Sequence, residues 1–494
     1  MNILKKFGSL TNGAAVDSLL LTFVNIVTAV VGIVVAKLLS VYFSLEEYGT
    51  YSQAMLIVST AGSLTILGLT DAVNYFYNGT ADSKRKEQYI GTIFDIQYII
   101  GMICAILIIL CRDLIVGYFK NEALRGVLWI VALLPVLQNL IPMMQVMFVS
   151  VGKAKLIAAR NFIISLARLA SVLIACFVTR EIKSILELLL LLDVAQVIYF
   201  YLSLKKQSIH IKASAFDYGD LREILAFSIP MAAYLLTNSL SRDIDKYVVS
   251  YYANTETVAI YSNAAKLLPF DMITTSFITV LIPIITRQVR AEQYDAAFSS
   301  FKMYLRLGYI ATWMLVFGTI IPSRELMLFL YDEKYLPGLP VFVVYLLVDM
   351  IKFAGTSLIF VAKGKTKKLL LISCSALVLN LLLNPPAYRM LGMIGPALTT
   401  LLITLALAVA LLTLGSRELH NSVFKLFNWR EMALIVAELL AAGAVAACLR
   451  SILIAHSPYN TLNLILTYGV YFVIMLGLNY KRIISCLKEI NALK

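Results

Sequence analysis

Charge is scarce in this chain. Only 14% of its 494 residues are Asp, Glu, Lys or Arg, against about 25% in a soluble domain. Histidine is scarcer still: His210, His420 and His456 are the whole supply. They fall in predicted loops or at helix ends without metal-ligand spacing, so a histidine-built metal centre is not expected. The six cysteines, at 104, 111, 176, 374, 448 and 486, are scattered through mostly apolar segments. They suggest neither a disulfide framework nor a Cys-x-x-Cys metal site. A complete P-loop is also missing: Gly364-Lys365-Thr366 ends like one, but the position that needs glycine is Ile359. The expectation is therefore a non-enzyme with no catalytic residue, no cofactor and no metal. Any active transport would have to draw on an ion or membrane-potential gradient.

Apolar residues fill the space that charge leaves. The chain is 60% hydrophobic, with a mean hydropathy of +0.84. A spanning helix needs about 20 mostly apolar residues. Fourteen stretches qualify: 14–39, 47–76, 88–111, 124–150, 156–179, 184–204, 223–253, 257–285, 299–322, 339–362, 368–388, 391–415, 431–455 and 459–480. The fold class is thus an all-α polytopic membrane protein. After Lys5 and Lys6 the apolar run extends to about residue 39, too long for a signal-peptide core. No connection is long enough for a separate soluble domain.

The net charge of +13 would suggest nucleic acid in a soluble protein. Here it follows the positive-inside rule, and no nucleic-acid partner is expected. With the N-terminus in the cytoplasm, the inside segments carry 25 Lys and Arg and the outside loops 8. The bias persists to the end of the chain, which places both termini in the cytoplasm. Asn78-Gly79-Thr80 matches a glycosylation sequon, but this topology makes it cytoplasmic.

The chain repeats itself. Glu46-Glu47-Tyr48-Gly49-Thr50-Tyr51 resembles Glu256-Thr257-Val258-Ala259-Ile260-Tyr261. Val151-Gly152-Lys153-Ala154-Lys155 resembles Lys363-Gly364-Lys365-Thr366-Lys367. The two pairs are separated by nearly the same length of chain. Six spans lie between the copies, an even number, so the halves share one orientation. The expected domains are a six-helix lobe over 1–204, a second over 205–415, and two extra helices over 416–494. Prolines 135, 142, 230, 269, 283 and 396 fall in or near spans. They fit a moving bundle or static kinks equally well.

The densest intramembrane polarity is Asn238-Ser239-Leu240-Ser241-Arg242-Asp243-Ile244-Asp245-Lys246. A central charge costs roughly 2.5–3.5 kcal/mol on insertion scales, so four facing lipid would cost on the order of 10 kcal/mol. They should face protein or a water-filled cavity. Helical spacing puts Asn238, Arg242, Asp245 and Lys246 on one face and Asp243 to its side. Lys266 and Asp271 follow in the next span, around Pro269. Arg168 and Asp193, in spans five and six, could pair across the short turn between them; Asp349 and Lys352 could pair at i and i+3. Lys37 can snorkel, and Asp95 and Glu438 read as structural. Two readings stay open: salt bridges that only hold helices together, or a cavity for a charged substrate. The ion-coupling candidates are Asp245, Asp349 and Asp193.

Arg242-Asp243-Ile244-Asp245-Lys246, with Glu256 and Ala259-Ile260-Tyr261-Ser262, resembles the polysaccharide-flippase branch of the multidrug/oligosaccharidyl-lipid/polysaccharide exporter superfamily. Gly364-Lys365-Thr366-Lys367, then Asn380 and Asn384, then Gly392-Met393-Ile394-Gly395-Pro396-Ala397, is similar to that branch's helix eleven–twelve signature. The resemblance covers about residues 1–415. One departure is Asn384-Pro385-Pro386-Ala387-Tyr388, which should break the outer end of helix eleven.

The resemblance implies a V-shaped transporter of two parallel six-helix lobes plus two C-terminal helices, working by alternating access. It implies a bacterial or archaeal inner membrane and a polyprenyl-diphosphate-linked oligosaccharide as substrate, as in O-antigen, lipopolysaccharide or capsule synthesis. Membrane lipids and a polysaccharide polymerase are the implied partners; a monomer is compatible with all of this. Arg242, Lys246, Lys266, Arg168, Lys352 and Asn238 become candidates for diphosphate and glycan contact, because arginine and lysine can replace a diphosphate's water. Tyr234, Asn238 and Asn263 could hydrogen-bond sugar hydroxyls. The alternatives are a cation-coupled drug exporter on the same fold and a non-transporting scaffold.

The topology has a direct test. A fluorescent protein fused after Lys494 should fluoresce, and alkaline phosphatase inserted after Glu122 should be active. The opposite pattern would refute the orientation.

Overall fold

The structure is a computed structural model that describes residues 13–80, 82–150, 154–206, 218–268, 270–456 and 459–492. Every regular element among these residues is helical. Helices α1 (Gly13–Tyr42), α2 (Leu45–Thr65), α3 (Leu69–Gly79), α4 (Ser83–Leu110), α5 (Arg112–Phe119), α6 (Leu128–Ser150), α7 (Ala154–Ile174) and α8 (Ile182–Lys206) lead to the longest, α9 (Tyr218–Tyr252). Next come α10 (Thr255–Ala264), α11 (Asp271–Arg290), α12 (Tyr294–Ile320), α13 (Ser323–Leu330), α14 (Leu339–Lys352) and α15 (Leu358–Ala362). The last four are α16 (Thr366–Leu391), α17 (Ile394–Glu418), α18 (Trp429–His456) and α19 (Asn460–Ala492).

Twelve described stretches are long and apolar enough to cross a membrane, which makes this a multi-pass membrane protein. Fourteen were expected. The expected first span corresponds to α1, whose apolar stretch among the described residues, Val27–Tyr42, is short of that length. The expected eighth span is interrupted between α10 and α11, with Lys266, Leu267 and Leu268 outside any helix.

The expected break at Pro385 and Pro386 is absent: α16 runs through both prolines to Leu391. Each interior proline removes an N–H donor and crowds the carbonyl one turn back, but the helix continues for another turn past both. The helix stops at Gly392, whose φ of +61° is left-handed and whose N–H donates to Tyr388 O at 2.8 Å. Just beyond it, a Cβ at Gly395 would collide with the Ala387 carbonyl, so only glycine allows this tight return into α17.

The chain divides into two compact units. One comprises Met1–Leu240 and Ala253–Ala259, the other Ser241–Tyr252 and Ile260–Lys494. The first unit has a core of large apolar side chains that includes Phe76, Ile93, Met143, Phe148 and Phe200. Its α2 and α3 meet at Leu67 and Gly68, both left-handed at φ +43° and +68°. Asn139 of α6 donates to Gly62 O at 3.0 Å and to Thr65 Oγ1 at 2.8 Å. It thereby ties α6 to the last turn of α2, adding to the bonds that Gly62 O accepts from Ile66 N–H and that Thr65 Oγ1 donates to Ala61 O.

Local structure recurs at the spacing found in the sequence. Ser44 caps α2 by accepting Glu47 N–H at 3.2 Å; Asn254, at the matching place in the second half, accepts Thr257 N–H at 3.0 Å beside α10. The short helix α5 leads to a tight turn opened by Asn121, which accepts Ala123 N–H at 3.0 Å. The equally short α13 leads to a like turn opened by Asp332, the counterpart of Asn121, which accepts Lys334 N–H at 3.2 Å. In the first turn Arg125 bonds Glu122 at 3.0 Å and Asp113 at 2.5 Å, and these carboxylates raise its pKa.

In the second unit, α18 and α19 pack on α12 and α13 around Tyr309, Met314, Tyr471 and Met475. Three arginine–carboxylate pairs lock them. Arg306 of α12 grips Glu431 of α18 with bonds of 2.8–3.1 Å. Arg450 of α18 grips Glu325 of α13 at 2.9–3.0 Å, and the Glu325 side chain is 1% exposed. Arg482 of α19 grips Glu438 of α18 at 2.6 and 2.9 Å. Glu438 is thus structural, as expected.

Removing one partner of such a pair strands a buried charge. Arg450→Ala should destabilise the protein by about 3–5 kcal/mol, read as a lowered unfolding temperature in detergent. Arg450→Met with Glu325→Gln should recover most of that loss.

Candidate functional site

Polar side chains gather inside each unit. In the second unit the gathering begins on α9. This helix has 35 residues, about 52 Å at 1.5 Å per residue, well over the roughly 30 Å of hydrocarbon. It begins at Tyr218, and its charged turn, Arg242 to Lys246, falls in its last third. That position is past the helix midpoint, so the cost reckoned for a central charge is an upper bound.

The turn sorts its charges. Arg242 and Asn238 are exposed, Lys246 is half-buried, and Asp243 and Asp245 are buried. Lys246 Nζ pairs with Asp243 at 2.6 Å, one turn back on the same helix. Asp245 turns inward, 1% exposed. Its Oδ2 accepts a hydrogen bond from the Tyr261 hydroxyl of α10 at 2.7 Å and another from the Tyr345 hydroxyl of α14. Its Oδ1 is buried with no hydrogen-bond partner among the described residues. The face expected to carry Asn238, Arg242, Asp245 and Lys246 together is therefore divided: Asp245, at its edge, turns into protein.

The interrupted stretch after α10 brings in more polarity. Lys266 is exposed, and its Nζ donates to Asn263 Oδ1 at 3.1 Å. Asp349 of α14 accepts the Leu268 N–H at 2.9 Å, a backbone donor in the non-helical stretch between α10 and α11. Asp349 thus serves the break in the chain, while Lys352 is exposed at the last turn of α14. Nearby in sequence, α16 buries Asn380 and Asn384, and neither Asn384 Oδ1 nor Nδ2 has a hydrogen-bond partner among the described residues. Pro269 and the side chains of Tyr234 and Asp271 lie outside the described residues.

The first unit holds a cavity of about 350 Å³ between α1, α2, α6, α7 and α8. Its walls are mostly aliphatic, but Thr28, Tyr51, Gln138, Ser165 and Arg168 also line it. Ser165 Oγ is buried with no hydrogen-bond partner among the described residues. Asp193 is buried behind this wall and held by two amides: Gln138 Nε2 donates to Oδ2 at 3.0 Å and Gln196 Nε2 to Oδ1 at 2.8 Å. The expected Arg168–Asp193 ion pair is not formed. The glutamines take up both carboxylate oxygens, and the guanidinium is left to the cavity. Arg160, earlier on the same helix as Arg168, lies with its guanidinium 5.2 Å from the Phe200 ring centroid.

Sequence reasoning missed Tyr345, Gln138 and Gln196. Tyr261 was visible within the repeated motif, but only its hydroxyl's reach to Asp245 gives it a role. Apart from Gln196, one turn from Asp193, the partners are distant in sequence from the carboxylates they hold. No local pattern connects them.

Comparisons with known proteins fit this architecture. A solved structure described as the lipid II flippase MurJ in an inward closed conformation matches with a TM-score of 0.74 at 15% identity, over 94% of this chain and all of that one. An inward-facing multidrug resistance MATE family transporter of the MOP superfamily matches with a TM-score of 0.68 at 12% identity, over 80% of this chain and 94% of that one. An outward-facing counterpart gives 0.55 at 12%, over 82% and 94%. At these identities the likeness concerns the fold, which is that of MOP-type transporters. No curated protein matches the sequence. The family model described as polysaccharide biosynthesis protein matches residues 34–340, well over half of the sequence, and the chain belongs to that family.

Proposed function

We propose that this protein is a flippase that carries a polyprenyl-diphosphate-linked oligosaccharide across the inner membrane of a bacterium or archaeon, for cell-surface polysaccharide synthesis. The observation that carries the reading is the membership in a polysaccharide biosynthesis family of a transporter-fold chain with exposed cations on a spanning helix. An isolated ion in hydrocarbon costs tens of kcal/mol by Born estimates. A lipid tail needs no help to stay in the bilayer, whereas its diphosphate and sugars need a polar route. Arg242, Lys246 and Lys266 supply positive charge for the diphosphate in the second unit, and Arg168 supplies it in the first. Lys352 and Asn238 are further contacts of the same kind. The two repeated halves act as the alternating lobes.

Coupling falls to Asp245. Its Oδ2 is clamped by two phenols, while its Oδ1 has no hydrogen-bond partner among the described residues and so keeps an open valence for a coupling ion. Asp349 and Asp193 are weaker candidates, since the first serves a backbone N–H and the second is satisfied by two amides. Buried acids in both units also support the second reading, a cation-coupled drug exporter, whose fold is shared.

Arg242→Ala and Lys246→Ala should each reduce lipid-linked glycan export about tenfold or more at wild-type protein levels, the size expected for losing a charge-assisted contact. Drug susceptibility should not change. Normal export with raised drug sensitivity would favour the exporter reading instead. Asp245→Asn should leave the protein folded, because the amide oxygen still accepts from Tyr261 and Tyr345, but should abolish dependence on an imposed ion gradient in proteoliposomes.

A further inference from the structure

The ends of α12, α18 and α19 enclose a cavity of about 540 Å³ in the second unit, apart from the charged turn of α9. Arg306 and Glu431 line it. Glu431 is saturated there: besides Arg306, its Oε2 accepts from the Tyr309 hydroxyl at 3.1 Å and from Asn428 at 3.4 Å. Two charged groups on the walls keep open valences. Lys302 is half-buried, lines the cavity, and makes no hydrogen bond or ion pair with any described residue. Glu489 uses only Oε1, which accepts from Arg306 at 3.1 Å and from Ser485 at 2.8 Å. Its Oε2 has no hydrogen bond from a described residue, and the side chain is 47% exposed.

The cavity therefore offers one open ammonium and one open carboxylate oxygen, with no net charge among Lys302, Arg306, Glu431 and Glu489. A simple anion would meet Lys302 but be repelled by Glu489. A simple cation would meet the reverse. A zwitterion with a phosphate and an ammonium satisfies both, through charge-assisted hydrogen bonds. The position suits a lipid. Lys302 lies in the first turns of α12, Trp429 opens α18, and Glu489 lies just past the apolar part of α19, so all three are at headgroup depth. Beside the cavity, Phe424 and Trp429 are 72% and 55% exposed. Leu426 and Asn428 of the same connection line the cavity. Aromatic rings at this depth hold the boundary between headgroups and acyl chains.

We propose that this cavity binds the headgroup of an aminophospholipid, with its phosphate on Lys302 and its primary ammonium on Glu489. The primary amine matters, because a trimethylammonium has no N–H to give Glu489 Oε2. Protein reconstituted in equal mixtures of phosphatidylethanolamine, phosphatidylglycerol and phosphatidylcholine, then taken into detergent, should retain phosphatidylethanolamine by native mass spectrometry. Lys302→Met and Glu489→Gln should each lower that retention about tenfold, as expected for one charge-assisted hydrogen bond. Both variants should elute as the wild type does on gel filtration. Equal retention of the three lipids, a preference for phosphatidylglycerol, or wild-type retention in both folded variants would overturn the proposal. Water-soluble glycerophosphoethanolamine, the same headgroup without acyl chains, should compete only in large excess; no competition at any concentration would overturn the headgroup assignment, and equal competition would overturn the lipid as its source.

Discussion

A charge inside a membrane protein must be given a partner, water or an exit, because hydrocarbon offers none. The described structure uses all three solutions. Asp245 is clamped by two tyrosines, Asp193 by two glutamines, and Glu325 by a bidentate arginine. Arg168 opens onto a cavity. Arg242, Lys266 and Lys352 are exposed on helices or at helix ends. The carboxylates are mostly sequestered and the cations mostly accessible. This sorting resolves a difficulty left by composition, in which acids and bases along the spans are nearly balanced. A binding surface for an anion depends on which of them face inward, not on how many there are.

The arginine–glutamate locks of the last two helices belong to a different category. Each guanidinium meets its carboxylate through two or more hydrogen bonds. Such pairs contribute fixed geometry more than net stability. They make α18 and α19 an integral part of the second unit, joined to α12 and α13, rather than an appendage to the repeated helices. The cavity at the junction is lined by Arg306 and Glu431, one of these locks, and by Lys302 and Glu489, which keep unused capacity.

Repetition is visible at two levels. In the sequence it is a pair of short motifs; in the structure it is capping chemistry. Ser44 and Asn254 start equivalent helices, and Asn121 and Asp332 start equivalent tight turns. The capping residues differ in identity but agree in function, since any short side chain with an acceptor oxygen can receive the free N–H. A search for identical residues overlooks such pairs for that reason. The tandem prolines of α16 teach the opposite lesson. A residue that usually breaks helices does not do so here: α16 continues through both prolines and is closed by Gly392 instead.

The sequence by itself determined the membrane class, most of the spans and the family, because all of these are carried by composition, by runs of about 20 apolar residues and by short contiguous motifs. It also located the charged turn of α9, since four charges in an apolar run stand out without any fold. Only the tertiary structure decided what those charges do. It turned Asp245 toward Tyr261 and Tyr345, paired Lys246 with Asp243, gave Asp193 to glutamines instead of Arg168, and set Asp349 on a backbone N–H. Helical periodicity fixes a residue's angle about its own axis. It does not say which neighbouring helix fills that angle, and the strength of a buried charge's environment depends wholly on that neighbour.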